Sequence, residues 1–293
     1  MRLLLAVAHY FQPGDGRHGS VGRDPEPRRQ ALRQLVLQLQ RLFAEPAASL
    51  NHMARRLDPV ADGGGSLELC ICVTGESHLL ADLADLSPWF EAVACAPSDP
   101  RLLGFSCHQL LAQRHAAAVA AGQPYDYVGF LEDDILITDP DFFLKLRRFN
   151  QAFGDHYLLM PNRIETAEMP GHLARFYIDG DYNPPATEAY RLSGTQQLSV
   201  EHLGQQIRFE QPFNLHSGCF FLNPAQASLY FASEASRTID VSFHGPLESA
   251  ATLGMLKTFQ LMKPALVNGR FLTVEHAGRN FMGLVPRLGQ ANP

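Results

Sequence analysis

The chain has 293 residues, enough to bury a sizeable core as one α/β domain or two closely joined halves. Apolar residues make up 46%, charged residues 18%, and the formal net charge is -6, values that exclude a disordered chain and give no basic footprint for nucleic acid. No run approaches the roughly 18–20 apolar residues that cross a bilayer, and the five cysteines (70, 72, 95, 107 and 219) form no C-x-x-C pair, which suits buried thiols in a reducing, cytoplasmic compartment.

Met1 to Ala8 carries a charge, an apolar stretch and an Ala-x-Ala, but it is too short for a signal peptide and reads as a first strand. Gln12 to Pro27, rich in Gly, Pro and charge, reads as a loop. Inside it Gly14-Asp15-Gly16-Arg17-His18-Gly19 satisfies G-x-G-x-x-G. The context of a dinucleotide site is missing, because Pro25 and Pro27 precede the helical spacing of Leu32, Leu35, Val36, Leu39, Leu42 and Phe43. Ala61 to Ser66, with three glycines, predicts a flexible connection. Leu67 to Val73 and Phe90 to Ala96 predict strands, separated by a helical stretch near Leu79 to Leu86, and Arg101 to Ala121 predicts a long helix. Cys70 and Cys72 alternate along one strand and so share a face without disulfide geometry.

Tyr127-Val128-Gly129-Phe130-Leu131 is a short, β-branched and aromatic run that predicts a buried strand, and Glu132-Asp133-Asp134 follow it directly. In an open α/β sheet that is the edge where ligands bind. Adjacent carboxylates repel, and a divalent cation shared with a diphosphate offsets the repulsion. On the residues alone, a solvated turn into a helix capped by Asp139-Pro140-Asp141 accounts for the acids as well.

Beyond Asn150 the alternation of strands and helices weakens. Tyr157 to Met160, Ile207 to Phe209, Cys219 to Leu222 and Phe271 to Val274 predict strands, and Pro246 to Phe259 a helix. Glu165 to Gln205 is polar and punctuated by Gly and Pro, and predicts a long irregular cover over a site. Asp179-Gly180-Asp181-Tyr182-Asn183 starts like a calcium loop, but Pro184 stands where the turn needs Gly and Tyr190 where a bidentate Glu belongs. No H-E-x-x-H, P-loop or G-x-S-x-G occurs.

The longer string Phe130 to Phe143, Phe-Leu-Glu-Asp-Asp-Ile-Leu-Ile-Thr-Asp-Pro-Asp-Phe-Phe, resembles the metal-binding segment of GT-A fold glycosyltransferases, whose D-x-D motif often reads Glu-Asp-Asp. It is most similar to Golgi N-acetylglucosaminyltransferases of the N-glycan pathway. Those carry an N-terminal anchor, and its lack here points to a bacterial-type enzyme. The resemblance implies an α/β GT-A fold, Rossmann-like, with a mostly parallel central sheet flanked by helices. Residues 1–150 would form a nucleotide-sugar-binding half and 151–293 an acceptor-binding half of the same domain. It also implies inverting transfer from a nucleoside diphosphate sugar, foremost a UDP-sugar, to a glycan or other hydroxyl acceptor.

Carried over residue by residue, the resemblance assigns Asp134 and a C-terminal His276 to a divalent metal, Mn2+ ahead of Mg2+. It gives Glu132 and Asp133 to positioning the nucleotide and sugar or to organising the metal shell, and Asp99, Arg101 and His108 to the nucleotide. Ser217 and Gly218, in the turn after His216, would form a close backbone approach to donor or acceptor, and Glu248 would be the base. Ser249 stands where a second acid is usual. Each has a structural reading too: Arg101 as a solvated helix start, Gly218 as relief of crowding at a strand start, Glu248 as an acid favoured by a helix dipole after an N1 proline, and His276 as a surface histidine. A nucleotidyltransferase or a non-catalytic sugar-nucleotide or glycan-binding protein would use similar acids, although the Gly-rich, Lys-containing N-terminal signature of the former is missing.

Overall fold

A computed structural model describes residues 1–16, 20–44, 47–60, 65–169, 171–180, 185–190, 197–278 and 281. The fold is α/β with a mostly parallel central sheet flanked by helices. Its strands are β1 (Arg2–Ala8), β2 (Ser66–Val73), β3 (Glu91–Ala94), β4 (Tyr127–Glu132) and, further along the chain, Cys219–Leu222. In space the order is Cys219–Leu222, β4, β1, β2, β3; only the Cys219–Leu222 strand is antiparallel.

Parallel strands covered on both faces read as continuous apolar runs, and β1 shows why. Leu3, Leu5 and Val7 pack on one side with α1 (Glu26–Phe43) and α3 (Phe142–Phe153). Leu4, Ala6 and Ala8 pack on the other with α2 (Leu103–Ala120), the Pro224–Ala232 helix α4 and the Pro246–Leu256 helix α5. All five cysteines are free, and all but Cys95 are buried.

Two smaller sheets carry the rest of the site. After β5 (Ile135–Leu136), β6 (Tyr157–Leu159), β7 (Asn162–Met169), β8 (His172–Tyr177), β9 (Gln197–His202), β10 (Gln205–Glu210) and β11, the Cys219–Leu222 strand, come β12 (Gln260–Pro264) and β13 (Thr273–His276). One sheet runs β8, β7, β13, β5 and the other β6, β12, β10, β9.

Several expectations change. Pro27 lies in the first turn of α1, where its missing N–H costs nothing, so the loop ends before it. The glycine-rich pattern extends into residues 17–19, most of the predicted connection into 61–64, and the calcium-like loop into 181–184, all outside the described residues. A hairpin, Ala48–Asn51 with Arg56–Pro59, was not foreseen. The predicted irregular cover from Glu165 is instead largely hairpin: β7 pairs antiparallel with β8 through a turn at Gly171, whose φ is +82°, and β9 pairs with β10. Polar residues on a partly exposed sheet hid this alternation.

Candidate active site

Three strand registers assemble the acidic centre. Ala8 pairs with Glu132 across β1 and β4, so His9 emerges beside Asp133. Cys219 pairs with Leu131, and the Glu132 N–H donates to Gly218 O at 2.9 Å, which sets His216 to Gly218 against Glu132. His276 pairs with Ile135 while Ile164 pairs with Glu275, so Asp134, His276 and Glu165 meet from three segments.

The Asp134–His276 pair is the most suggestive geometry. His276 Nδ1 lies 3.0 Å from Glu165 Oε1, and Glu165 is fully buried. A buried carboxylate on Nδ1 fixes the ring and leaves Nε2 with its lone pair outward, the arrangement common to metal-bound histidines. That Nε2 faces Asp134 Oδ2 at 3.6 Å. Two acceptors facing each other call for a cation or a proton between them. Burial pushes the Asp134 carboxyl up, but the charge of Arg28, with that of Arg163 further off, helps hold it below the usual range.

Asp134 Oδ1 and Glu132 Oε1 are buried and accept no hydrogen bond. Unsatisfied buried oxygens are costly, and here they fit a divalent ion held by oxygen and imidazole donors. Burial, then the Asp134 charge, pushes the Glu132 carboxyl well above the carboxylate range, with Glu248 adding to the rise. His216 Nε2 approaches Glu132 Oε1 at 3.6 Å, while its Nδ1 lies 2.9 Å from Thr252 Oγ1. Burial, with the charges of Arg163 and Lys263, drives this imidazole well below its ordinary value, towards the neutral form.

Asp133 is turned into the protein. Its side chain is 1% exposed and is held by His9 Nδ1 at 2.6 Å and by Arg28 Nη1 at 2.9 Å. Arg28 Nη1 also reaches Asp134 Oδ2 at 2.9 Å, so it bridges both acids. Burial opposes the Arg28 charge, but Asp133, Asp134 and Glu132 hold it on the guanidinium.

Gly218 has φ +65°, and a Cβ there would come within 2.8 Å of Ile135 and 3.2 Å of Glu132 Oε2, so the glycine lets Glu132 and the turn pack together. Ser217 is buried and donates to Pro161 O at 2.7 Å, a tie between strands. Glu248 stands in the first turn of α5, half-buried, with its carboxylate folded back over Gly245.

The remaining nucleotide candidates lie elsewhere. Asp99 and Arg101 pair with each other on the surface at 2.6 Å, Asp99 also accepting the Arg101 N–H. His108 is a core residue: it is ringed by Phe105, Phe130, Phe220 and Tyr230, and burial pushes its imidazole down to about 4. Among the described residues, the one group of three His, Cys, Asp or Glu side chains with ligand atoms all within 4.8 Å of one another is Glu68, Cys70 and Glu91, not the acidic centre. Arg114 already binds both acids there, and burial pushes the Cys70 thiol up to about 12, so this cluster reads as an ion pair.

Sequence reasoning passed over His9, Arg28, Glu165, Arg163 and Lys263 as site residues, and read Asp179 only as the start of a calcium-like loop. Arg163 Nε donates to Asp179 Oδ1 at 2.8 Å, and Lys263 Nζ to Asp179 Oδ2 and His216 O, each at 2.6 Å. Thus a buried ion triad holds the turn that faces Glu132.

No family model matches the chain, and no curated protein matches it either. Solved structures similar to it include a 4-diphosphocytidyl-2C-methyl-D-erythritol synthase, 10% identical over 91% of this chain and 90% of that one, with a TM-score of 0.37. A mannose-1-phosphate geranyltransferase from Thermus thermophilus is 13% identical over 90% and 73%, with a TM-score of 0.40. S. aureus TarS 1-349 in complex with UDP-GlcNAc is 10% identical over 98% and 62%, also with a TM-score of 0.40. Likenesses this distant decide nothing about activity. No helix of the described residues is long and apolar enough to cross a membrane.

Proposed function

We propose that the protein is a metal-dependent glycosyltransferase of the GT-A kind, moving a sugar from a nucleoside diphosphate sugar to a hydroxyl acceptor. The observation that carries this reading is the Asp134–His276 pair, Oδ2 to Nε2 at 3.6 Å, just past the end of β4 in the central sheet, with Glu165 behind the imidazole. The donor set of carboxylate and imidazole suits Mn2+.

Asp134 and His276 would hold the ion, and Glu132, whose buried Oε1 accepts no hydrogen bond, is near enough for the Asp134 charge to act on it. When bound, the ion supplies charge that offsets the departing diphosphate. The other side chains prepare that place. His9 and Arg28 clamp Asp133 so that the turn cannot relax, and Glu165 orients His276. Lys263 fixes the His216 carbonyl and with it the imidazole facing Glu132. Glu248, at the start of α5, is the candidate to accept the acceptor's hydroxyl proton, its carboxylate lying close enough for its charge to raise the Glu132 carboxyl.

Transfer assays with a panel of nucleotide sugars and neutral acceptors test the reading. Glu248→Gln should lower turnover by roughly 100-fold or more with donor affinity nearly unchanged. Near-normal turnover would remove the base assignment and leave only a favourable charge at the helix start.

A further inference from the structure

The acidic centre contains a cation of the protein's own. Arg28, in the first turn of α1, donates from Nη1 to Asp134 Oδ2 at 2.9 Å. That oxygen is also the one facing His276 Nε2 at 3.6 Å. A guanidinium therefore engages the atom that a divalent ion held by Asp134 and His276 would share. The two cations oppose each other there, because like charges at contact distance repel strongly in a site shielded from water.

Arg28 is held by charge rather than by fit. Arginine grips a carboxylate best through two parallel donors, as Arg33 grips Asp85 with Nη1 at 2.9 Å and Nη2 at 2.6 Å. Arg28 instead stretches one nitrogen between two acids. Its 2.9 Å approach to Asp133 Oδ1 lacks hydrogen-bond geometry and leaves that oxygen without a donor, and its own buried Nε donates to nothing. Bare buried polar atoms cost free energy, so a cation that fits better can displace this one. The Arg28 side chain is 13% exposed, which gives a displaced guanidinium a way to solvent.

We infer that Arg28 is the protein's own counter-cation for Asp134 and competes with the divalent ion for Oδ2, so that α1 sets how tightly the ion binds. This role rests on the proposed metal site of Asp134 and His276. It also accounts for the spread of the centre. Among the described residues, no three of Glu132, Asp133, Asp134, Glu165 and His276 bring ligand atoms within 4.8 Å of one another, and Arg28 turns Asp134 Oδ2 towards α1.

Titration of Mn2+ alone into the protein, with free Mn2+ read by electron paramagnetic resonance, tests the inference. Arg28→Met removes the charge and keeps an extended side chain, and it should bind Mn2+ about tenfold or more tightly than the wild type. Arg28→Lys keeps the charge and should stay near the wild type. Circular dichroism establishes that each variant is folded. A second measurement needs no variant: phenylglyoxal should label wild-type Arg28 faster in saturating Mn2+ than in EDTA, read by mass spectrometry with Arg33 as the internal reference.

Equal or weaker Mn2+ binding by Arg28→Met, or equal labelling of Arg28 with and without Mn2+, would overturn the assignment and leave the metal site standing. Mn2+ binding by Arg28→Met alone would uphold it and contradict a metal-dependent wild type. Binding by neither protein, or binding that survives in Asp134→Asn, would contradict the metal site and the role of Arg28 together.

Discussion

His9 Nδ1 lies 2.6 Å from Asp133 Oδ2 while its Nε2 accepts the backbone N–H of Leu79 at 3.0 Å. The Leu79 bond settles the tautomer: with Nε2 accepting, the proton is on Nδ1 and is donated to the carboxylate. A fully buried anion at the start of the acidic turn is thereby held by a strand neighbour and by Arg28.

Removal of that donor leaves a buried oxygen short of a partner, which costs about 1–3 kcal/mol. His9→Ala should therefore lower the urea midpoint, whereas His9→Asn, whose amide can place a donor near Nδ1, should recover part of the loss. Equal stability of wild type and His9→Ala would remove the anchoring role.

Asp179 is the common partner of two buried cations, Arg163 and Lys263. Burial pushes its carboxyl up, but the charges of Arg163 and Lys263 prevail and hold it below the usual range. Asp179→Asn leaves the cations uncompensated and should destabilise the fold by about 3–5 kcal/mol in chemical denaturation. A change under about 1 kcal/mol would mean that the triad contributes little.

His108 supplies a pH signature. Its imidazole is pushed down to about 4 by burial, against an ordinary value of 6.5. Between those values the unfolded chain binds a proton that the native state does not, so stability is full above about pH 6.5 and falls as the pH drops towards 4. The loss approaches about 3 kcal/mol across the window. Urea midpoints at pH 7 and pH 5 should differ less in His108→Phe than in the wild type. An unchanged difference would assign the pH dependence to other groups.

The Glu165–His276 bond gives a test of metal affinity. Glu165→Gln keeps the size of the side chain but weakens the hold on Nδ1, and manganese affinity should fall by roughly 10–100-fold, as for other outer partners of metal-bound histidines. Electron paramagnetic resonance of free Mn2+ reads this directly, and unchanged affinity would detach Glu165 from the proposed metal site.

The central strands were legible because β1, β2 and β4 are short apolar runs buried on both faces, and the acids begin at the last residue of β4. The site was only partly legible. His276 could be named only through the resemblance, which implies a C-terminal histidine, and its pairing with Ile135 could not be read, since no local pattern fixes the register of β13 against β5. Arg28 is next to Arg29 in a helix whose sequence reads as a solvated basic face, and its partner Asp134 is 106 residues away. Glu165 looked like the start of a polar loop because the alternation in β7 and β8 places Glu168 and Arg175 where a buried strand would place apolar side chains. His108 misled for the opposite reason: a polar residue on α2 suggested a pocket, yet it faces Phe130 and Phe220 in the core.

The central claim is that a divalent ion held by Asp134 and His276 carries the nucleoside diphosphate. A diphosphate and a carboxylate repel each other unless a cation lies between them. Calorimetry of UDP with the wild type and with Asp134→Asn, each in Mn2+ and in EDTA, is the most direct measurement. The account predicts binding by the wild type in Mn2+ alone and none by a folded Asp134→Asn under either condition. Tight UDP binding in EDTA by both proteins would contradict it.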